Sequence, residues 1–157
     1  TPSLAAAPAP LRLARRRSAA RVARPAAVRA SGAQVDPRTL PGDPSLTLFT
    51  NVTLGADKMR VMQSCSKLLA EGLGKPESYV AICIVDGQDM IWAGSDEPCA
   101  LGTVNSLGAI NLENNRAVSA ALCELLEAHE VPKSRVYITF HDVPRENMGY
   151  NGATFAG

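Results

Sequence analysis

The chain is short of aromatic residues, with three Phe, three Tyr and one Trp in 157 positions. No segment approaches the ~20 apolar residues that a helix needs to cross a bilayer, so stable membrane insertion is not expected. Histidine is scarce too: His129 and His141 are far apart in sequence. The four cysteines, Cys65, Cys83, Cys99 and Cys123, form no C-x-x-C pair and have no histidine at ligand spacing. That pattern argues against a zinc site, and no metal is called for. Acidic residues are missing altogether before Asp36.

What stands in that acid-free stretch is seven arginines: Arg12, Arg15, Arg16, Arg17, Arg21, Arg24 and Arg29. Residues 36–157 carry the other nine basic residues against all fifteen acidic ones. The folded part is therefore mildly acidic, and a nucleic-acid partner, which needs a concentrated positive face, is not expected there. The Ala-, Arg-, Pro- and Ser-rich start has no apolar period and cannot offset its ordering entropy. An Arg-rich, acid-poor start reads as a transit segment, with Val28-Arg-Ala30 before Ser31 as a plastid-type processing site; mitochondrion is the other destination. The alternatives are a retained basic arm touching nucleic acid or membrane, and a cytoplasmic or non-classically secreted protein. The domain division is 1–43, extension and linker, and 44–157, a compact domain.

Pro44 opens a strand pattern that runs to Asn51. Asp57 is a candidate cap for a helix with Val61, Met62, Cys65, Leu68 and Leu69 on one face, ended by Gly72 and Gly74. Residues 78–85 form an apolar strand without a polar face, and Asp86-Gly87 turns the chain. Met90–Ala93 reads as a short strand and 94–108 as a loop of small residues. Asn111 or Asn114 caps a second helix, with Val118, Ala121, Leu122, Leu125 and Leu126 inward and Pro132 as its stop. Residues 135–141 are the last long strand, followed by an irregular hairpin or tail. At helix and strand positions, Cys65, Cys123 and Cys83 read as buried small hydrophobes.

Ser78, Val80, Ile82 and Asp86 recur 56 positions later as Ser134, Val136, Ile138 and Asp142. The fold class is thus α+β: two βαβ repeats giving a four-stranded mixed sheet with two helices on one face. Strands apolar on both sides need a second cover that one chain does not supply. That predicts an oligomer packing sheet faces together.

The folded part resembles the macrophage migration inhibitory factor family of the tautomerase superfamily over about residues 44–155. The resemblance is carried by Pro44 with Thr50-Asn51-Val52, Gly74-Lys75-Pro76 and Tyr79, and 95–101 (Ser-Asp-Glu-Pro-Cys-Ala-Leu). It continues in Ser106-Leu-Gly108, Asn115-Arg116, 134–138 (Ser-Arg-Val-Tyr-Ile) and 148–155 (Met-Gly-Tyr-Asn-Gly-Ala-Thr-Phe). It implies a homotrimer with sites at subunit interfaces. It also implies a chain beginning at Pro44, whose free secondary amine is the general base for keto–enol interconversion of a phenylpyruvate- or dopachrome-like aromatic keto acid, without a cofactor. By the same resemblance Lys75 binds the substrate carboxylate, the Leu107 backbone contacts substrate, and Tyr137 comes from a neighbouring subunit. Met148, Tyr150 and Phe155 wall the pocket. Read without it, Lys75 is a helix-end cation and the apolar residues are ordinary packing.

Four departures stand out. The segment Cys99-Ala-Leu-Gly102 lacks the second cysteine of family members with thiol-redox chemistry. Thr139 stands for asparagine, Tyr150 for tryptophan, and Ser45 for a larger apolar residue. Two functions stay open: the tautomerase, once processing exposes Pro44, and a non-catalytic trimeric binding, chaperone-like or signalling module with Pro44 blocked and its receptor unknown. A single-thiol redox role for Cys99 is a third.

Overall fold

The computed structural model describes residues 42–157. The transit-like reading of the extension and its processing site at Ala30 lie outside the described residues. The elements are β1 (Ser45–Thr50), α1 (Lys58–Leu73), β2 (Ala81–Val85), β3 (Ala100–Ser106), α2 (Leu112–Glu127) and β4 (Val136–Asp142). A small hairpin, β5 (Gly149–Tyr150) and β6 (Ala153–Thr154), closes the chain.

The main sheet runs β2-β1-β3-β4. β1 pairs parallel with β2, and β3 parallel with β4, as each βαβ unit requires. The two units meet in the antiparallel β1–β3 pair, with Ser45 opposite Asn105 and Thr50 opposite Ala100. The expected α+β class, strand number and mixed sheet are therefore found.

Alternation decides which face is covered. Leu46, Leu48, Ile84, Ala100 and Val104 join Val61, Cys65, Leu69, Leu73, Val118, Leu122 and Leu126 from the helices in one buried cluster. The residues between them point to the other face. There the register forms three rows: Val85-Phe49-Leu101-Tyr137, Cys83-Thr47-Thr103-Thr139 and Ala81-Ser45-Asn105-His141. Phe49 is 43% exposed, Leu101 45% and Tyr137 67%. Cys83 lies in this open face and is exposed, not buried as its strand position suggested.

Several expectations are corrected. Met90–Ala93 is not a sheet strand; it makes one isolated bridge, Trp92 to Ser95. The third strand is β3, inside the stretch read as loop. Its core-facing residues, Ala100, Gly102, Val104 and Ser106, are mostly small and so resemble loop composition. At Gly102 a Cβ would make ordinary contact with Leu48 at 3.4 Å and Ile138 at 3.5 Å. Gly72 does not end α1 either. It sits inside the last turn, where a Cβ would be 2.5 Å from Val118 Cγ2, so it lets α2 approach. Gly74 alone provides the left-handed cap, at φ 60°.

Asp57 makes no side-chain cap; it pairs with Arg60 at 3.2 Å. Asn111 is the cap of α2, its side chain accepting from Asn114 N at 3.0 Å. Short 3-10 turns at Glu77–Tyr79 and Lys133–Arg135 lead into β2 and β4, which start later than their apolar runs suggest. Among the described residues no helix is long and apolar enough to cross a membrane.

The 92–99 loop is held by two side chains. Asn51 donates to Asp96 O and Glu97 O and accepts from Cys99 N at 2.8 Å. Arg135 donates to Pro98 O and Glu97 O, both at 2.9 Å, and to Ser95 O at 3.2 Å. Lysine cannot reproduce that planar fork. Arg135→Lys is expected to lose about 2 kcal/mol in urea unfolding, since several carbonyls lose their donors.

Asp86 gives a pH-dependent contact. It accepts from Lys58 Nζ at 2.7 Å and Leu54 N at 2.9 Å, and these bonds hold its carboxyl below the usual carboxylate range. Its contribution is full above the unfolded value of about 4 and fades as pH falls through the lower folded value. Asp86→Asn should therefore flatten the acid side of the stability–pH curve measured by urea unfolding.

Candidate active site

The site forms where β1 begins and β3 ends, because antiparallel pairing puts those two ends together. Pro44 precedes β1, is fully buried, and accepts from Ala81 N at 3.0 Å through its carbonyl. Proline suits the first position of a strand, where it forfeits no ladder hydrogen bond. Leu107 follows β3 and is 6% exposed. Lys75 stands just past the Gly74 cap, its own N–H donating to Ala70 O at 2.9 Å. The left-handed glycine turns the chain so that the lysine reaches across: Lys75 Nζ donates to Leu107 O at 2.9 Å.

The C-terminal hairpin supplies the apolar wall. Phe155 is 1% exposed and clusters with Leu107, with Tyr79, Val143 and Met148 packed against them. Phe155 N donates to Met148 O at 3.0 Å, and the Tyr150 ring lies 5.6 Å from that of Phe155. Of the expected site residues, Pro44, Lys75, Leu107, Met148, Tyr150 and Phe155 thus gather at one end of the sheet. Tyr137 does not. It stacks on Trp92, ring centroids 4.2 Å apart, on the open face. It is five residues before Asp142, which marks the site end of β4. That separates it from the site by about 17 Å along the strand. One chain cannot bring Tyr137 to its own Lys75 cluster.

Two charged residues at the site were not singled out as such from sequence. Asp142 Oδ1 accepts from Gly108 N at 2.8 Å. Arg145 Nε donates to Phe155 O at 3.1 Å, and its guanidinium sits 5.8 Å from the Phe155 ring centroid. Asp142 ends the 56-residue echo, where a repeat-wide turn role hid its local one. Arg145 had no signal beyond being near the tyrosine–phenylalanine motif.

These charges act on Lys75. Burial lowers its pKa most, the nearby Arg145 cation lowers it further, and Asp142 works in the opposite direction. An amine held near this group feels the same positive surroundings and loses its proton more readily.

The residues just before Pro44 also sit in the site. Gly42 is buried with φ +103°, and a Cβ on it would be 2.8 Å from Leu107 Cβ and 3.2 Å from Lys75 Nζ. Gly42-Asp43 therefore covers Lys75 and Leu107 while acylating the Pro44 nitrogen. Cys99 is completely buried at the start of β3, which gives no support to a thiol-redox role. No group of three or more metal-ligating side chains occurs among the described residues. Arg145→Gln should raise the Lys75 pKa and Asp142→Asn should lower it, each read from the lysine side-chain NMR titration.

Comparison with known proteins bears on the family and the fold. The family profile described as macrophage migration inhibitory factor matches residues 43–156. The chain is 40% identical over 114 residues to macrophage migration inhibitory factor of Xenopus tropicalis, covering 72% of this chain and 99% of that protein. It is 42% identical over 113 residues to a homolog from Trichuris trichiura, covering 71% and 99%. The crystal structure of a homologue from Prochlorococcus marinus superimposes with a TM-score of 0.68 at 37% identity, over 71% of this chain and 98% of that one. The match begins one residue before the buried proline and spans both βαβ units, so the chain belongs to the macrophage migration inhibitory factor family.

Proposed function

We propose that the domain is a keto–enol tautomerase whose base is the Pro44 amine, freed when residues 1–43 are removed. The observation that carries this reading is the Lys75–Leu107 bond at the end of the sheet where Pro44 precedes β1. A secondary amine there would stand at the end of the sheet where Leu107, Phe155 and Met148 cluster and where Lys75 and Arg145 bring positive charge. Those surroundings depress its pKa toward neutrality, where a general base is most effective.

The substrate is an aromatic keto acid of phenylpyruvate or dopachrome type. Its carboxylate takes the Lys75 ammonium, and its ring lies against Met148, Tyr150 and Phe155. Pro44 removes a proton from the carbon beside the keto group, and the resulting enolate is neutralised by a proton returned to oxygen. The reverse transfer runs through the same amine. No electrons leave the substrate, so the reaction needs no cofactor.

A homotrimer fits the open sheet face. In the apolar row Val85-Phe49-Leu101-Tyr137 the last three residues are exposed in one chain, and packing sheets together would bury them. The same assembly would carry Tyr137 from one subunit to the Lys75 cluster of the next. A second reading, a non-catalytic trimeric module, is favoured by one observation: Gly42-Asp43 blocks both the nitrogen and the Lys75–Leu107 surface.

The chain produced with Pro44 as its first residue should interconvert keto and enol phenylpyruvate, followed by ultraviolet absorbance. Pro44→Gly should lower the rate by about a hundredfold or more. Lys75→Met should raise KM about tenfold, because a charge-assisted bond to carboxylate is lost. No activity from the Pro44-first chain would favour the binding module. Light scattering should report a trimer, and Leu101→Glu should dissociate it; a monomeric parent would remove the trimer from the proposal.

A further inference from the structure

The tautomerase reading requires a cut at one bond, Asp43–Pro44, and the residues at that bond can make the cut themselves. An aspartyl side chain is placed to attack its own backbone carbonyl, because the ring that forms has five members. Proline is the favourable leaving partner: its nitrogen is a tertiary amide without N–H, and it departs as a secondary amine. Every X–Asp–Pro sequence has this chemistry in latent form. The fold adds restraint at both ends of Asp43. Downstream, Pro44 is fully buried, with its carbonyl bound to Ala81 N at 3.0 Å. Upstream, Gly42 is packed so closely on Leu107 that a Cβ would stand 2.8 Å from Leu107 Cβ.

The electrostatics favour the same step. Burial raises the Asp43 carboxyl above its ordinary value, so more of it carries the proton that the leaving nitrogen needs. The Lys75 ammonium lies against the same segment, 3.2 Å from where a Gly42 Cβ would be. A cation against the residue that precedes Asp43 favours the negative charge that develops when the carbonyl is attacked. Fixing nucleophile and carbonyl in one residue, between two anchored neighbours, also removes most of the orientational cost.

We infer that Asp43–Pro44 is a self-cleavage site: the folded domain cuts its own extension and so exposes Pro44 as the mature terminus. The inference rests on the tautomerase reading for its purpose, though not for its chemistry. In the first step an Asp43 side-chain oxygen bonds to the Asp43 carbonyl carbon. The bond from that carbon to Pro44 nitrogen breaks, and the carboxyl proton goes to the nitrogen. The released fragment then ends in a cyclic anhydride, a covalent carboxylate intermediate. Water opens it, restoring the side-chain carboxyl and creating a terminal one. The net reaction is hydrolysis, with no oxidant or reductant. The same step removes Gly42-Asp43 from Lys75 and Leu107, so base and pocket open together.

The sequence contains its own control, a second Asp–Pro bond at Asp36–Pro37. The 157-residue chain, held in mildly acidic buffer with protease inhibitors, should yield fragments 1–43 and 44–157 by mass spectrometry. The rate should not depend on protein concentration, Asp36–Pro37 should stay intact, and hydroxylamine should trap the released fragment as its Asp43 hydroxamate. Asp43→Ala should slow the cut by about a hundredfold or more, because the intramolecular nucleophile is gone. Asp43→Glu, which keeps the charge but needs a six-membered ring, should slow it less. Equal cleavage at both Asp–Pro bonds, an unchanged rate in urea, or cutting of Asp43→Ala at the parent rate would overturn the inference. A chain that never cuts itself, while a Pro44-first chain is active, sinks self-cleavage and leaves the tautomerase standing. A chain that cuts selectively and yields an inactive product does the reverse.

Discussion

The antiparallel pairing of β1 with β3 is the constraint on which the rest of this domain depends. Each βαβ unit could form its parallel pair and cover it with one helix, yet neither unit alone has a buried face of any width. Joining them through Ser45–Asn105 and Thr50–Ala100 puts Leu46 and Leu48 beside Val104 and Gly102, under both helices. The same register brings the start of the first unit against the end of the second unit's first strand. Pro44 and Leu107 meet there, and Lys75, carried in by the Gly74 turn, closes the third side. A slip of one residue would turn Leu46 and Leu48 to the open face and pull Pro44 away from Leu107. Core and site thus share one register.

That register also grades the open face. The row at the Tyr137 end is aromatic and aliphatic, the middle row is a cysteine with three threonines, and the row nearest the site is Ala81-Ser45-Asn105-His141. An apolar row gains by being covered, at roughly 25 cal/mol per Å² buried. The two polar rows gain little unless their hydroxyl and amide groups find partners. Association through this face would therefore be driven at one end of the strands and stay hydrated at the other. The driving end is where Tyr137 stacks on Trp92, the end that a single chain leaves farthest from Lys75.

The sequence disclosed the fold class through the 56-residue echo and the two amphipathic helices. Short motifs around Pro44, Lys75 and Phe155 marked a candidate site, and the fold brings those residues to one end of the sheet. The sequence hid β3, because the core side of that strand is built from Ala100, Gly102 and Ser106. Small residues in a row read as a loop by local composition, and only the pairing with β1 and β4 makes them a central strand. Gly72 misled for a similar cause: it reads as a helix stop, and its actual role is to admit Val118. Asp142 reads only as a member of the echo, and Arg145 lies in no patterned segment, so their place at the site is not seen in the sequence. Their relation to Lys75 exists only once β4 and the C-terminal hairpin are folded beside α1.

Under the proposed function, Pro44 would resolve a conflict between opening a strand and being a base. An ordinary residue at the head of a strand offers its N–H to the sheet, and its amide is part of the ladder. Freeing that nitrogen would cost the sheet a bond, and a charged terminus would have to be buried beside Lys75 and Arg145. Proline has no N–H to offer, so the sheet holds it by its carbonyl alone, through Ala81 N. Breaking the bond before it removes no ladder hydrogen bond from β1. The nearby cations then favour the neutral amine, the form that costs least to bury and the one that can accept a proton. The feature that makes proline a poor strand residue elsewhere is what would let this strand follow a reactive nitrogen.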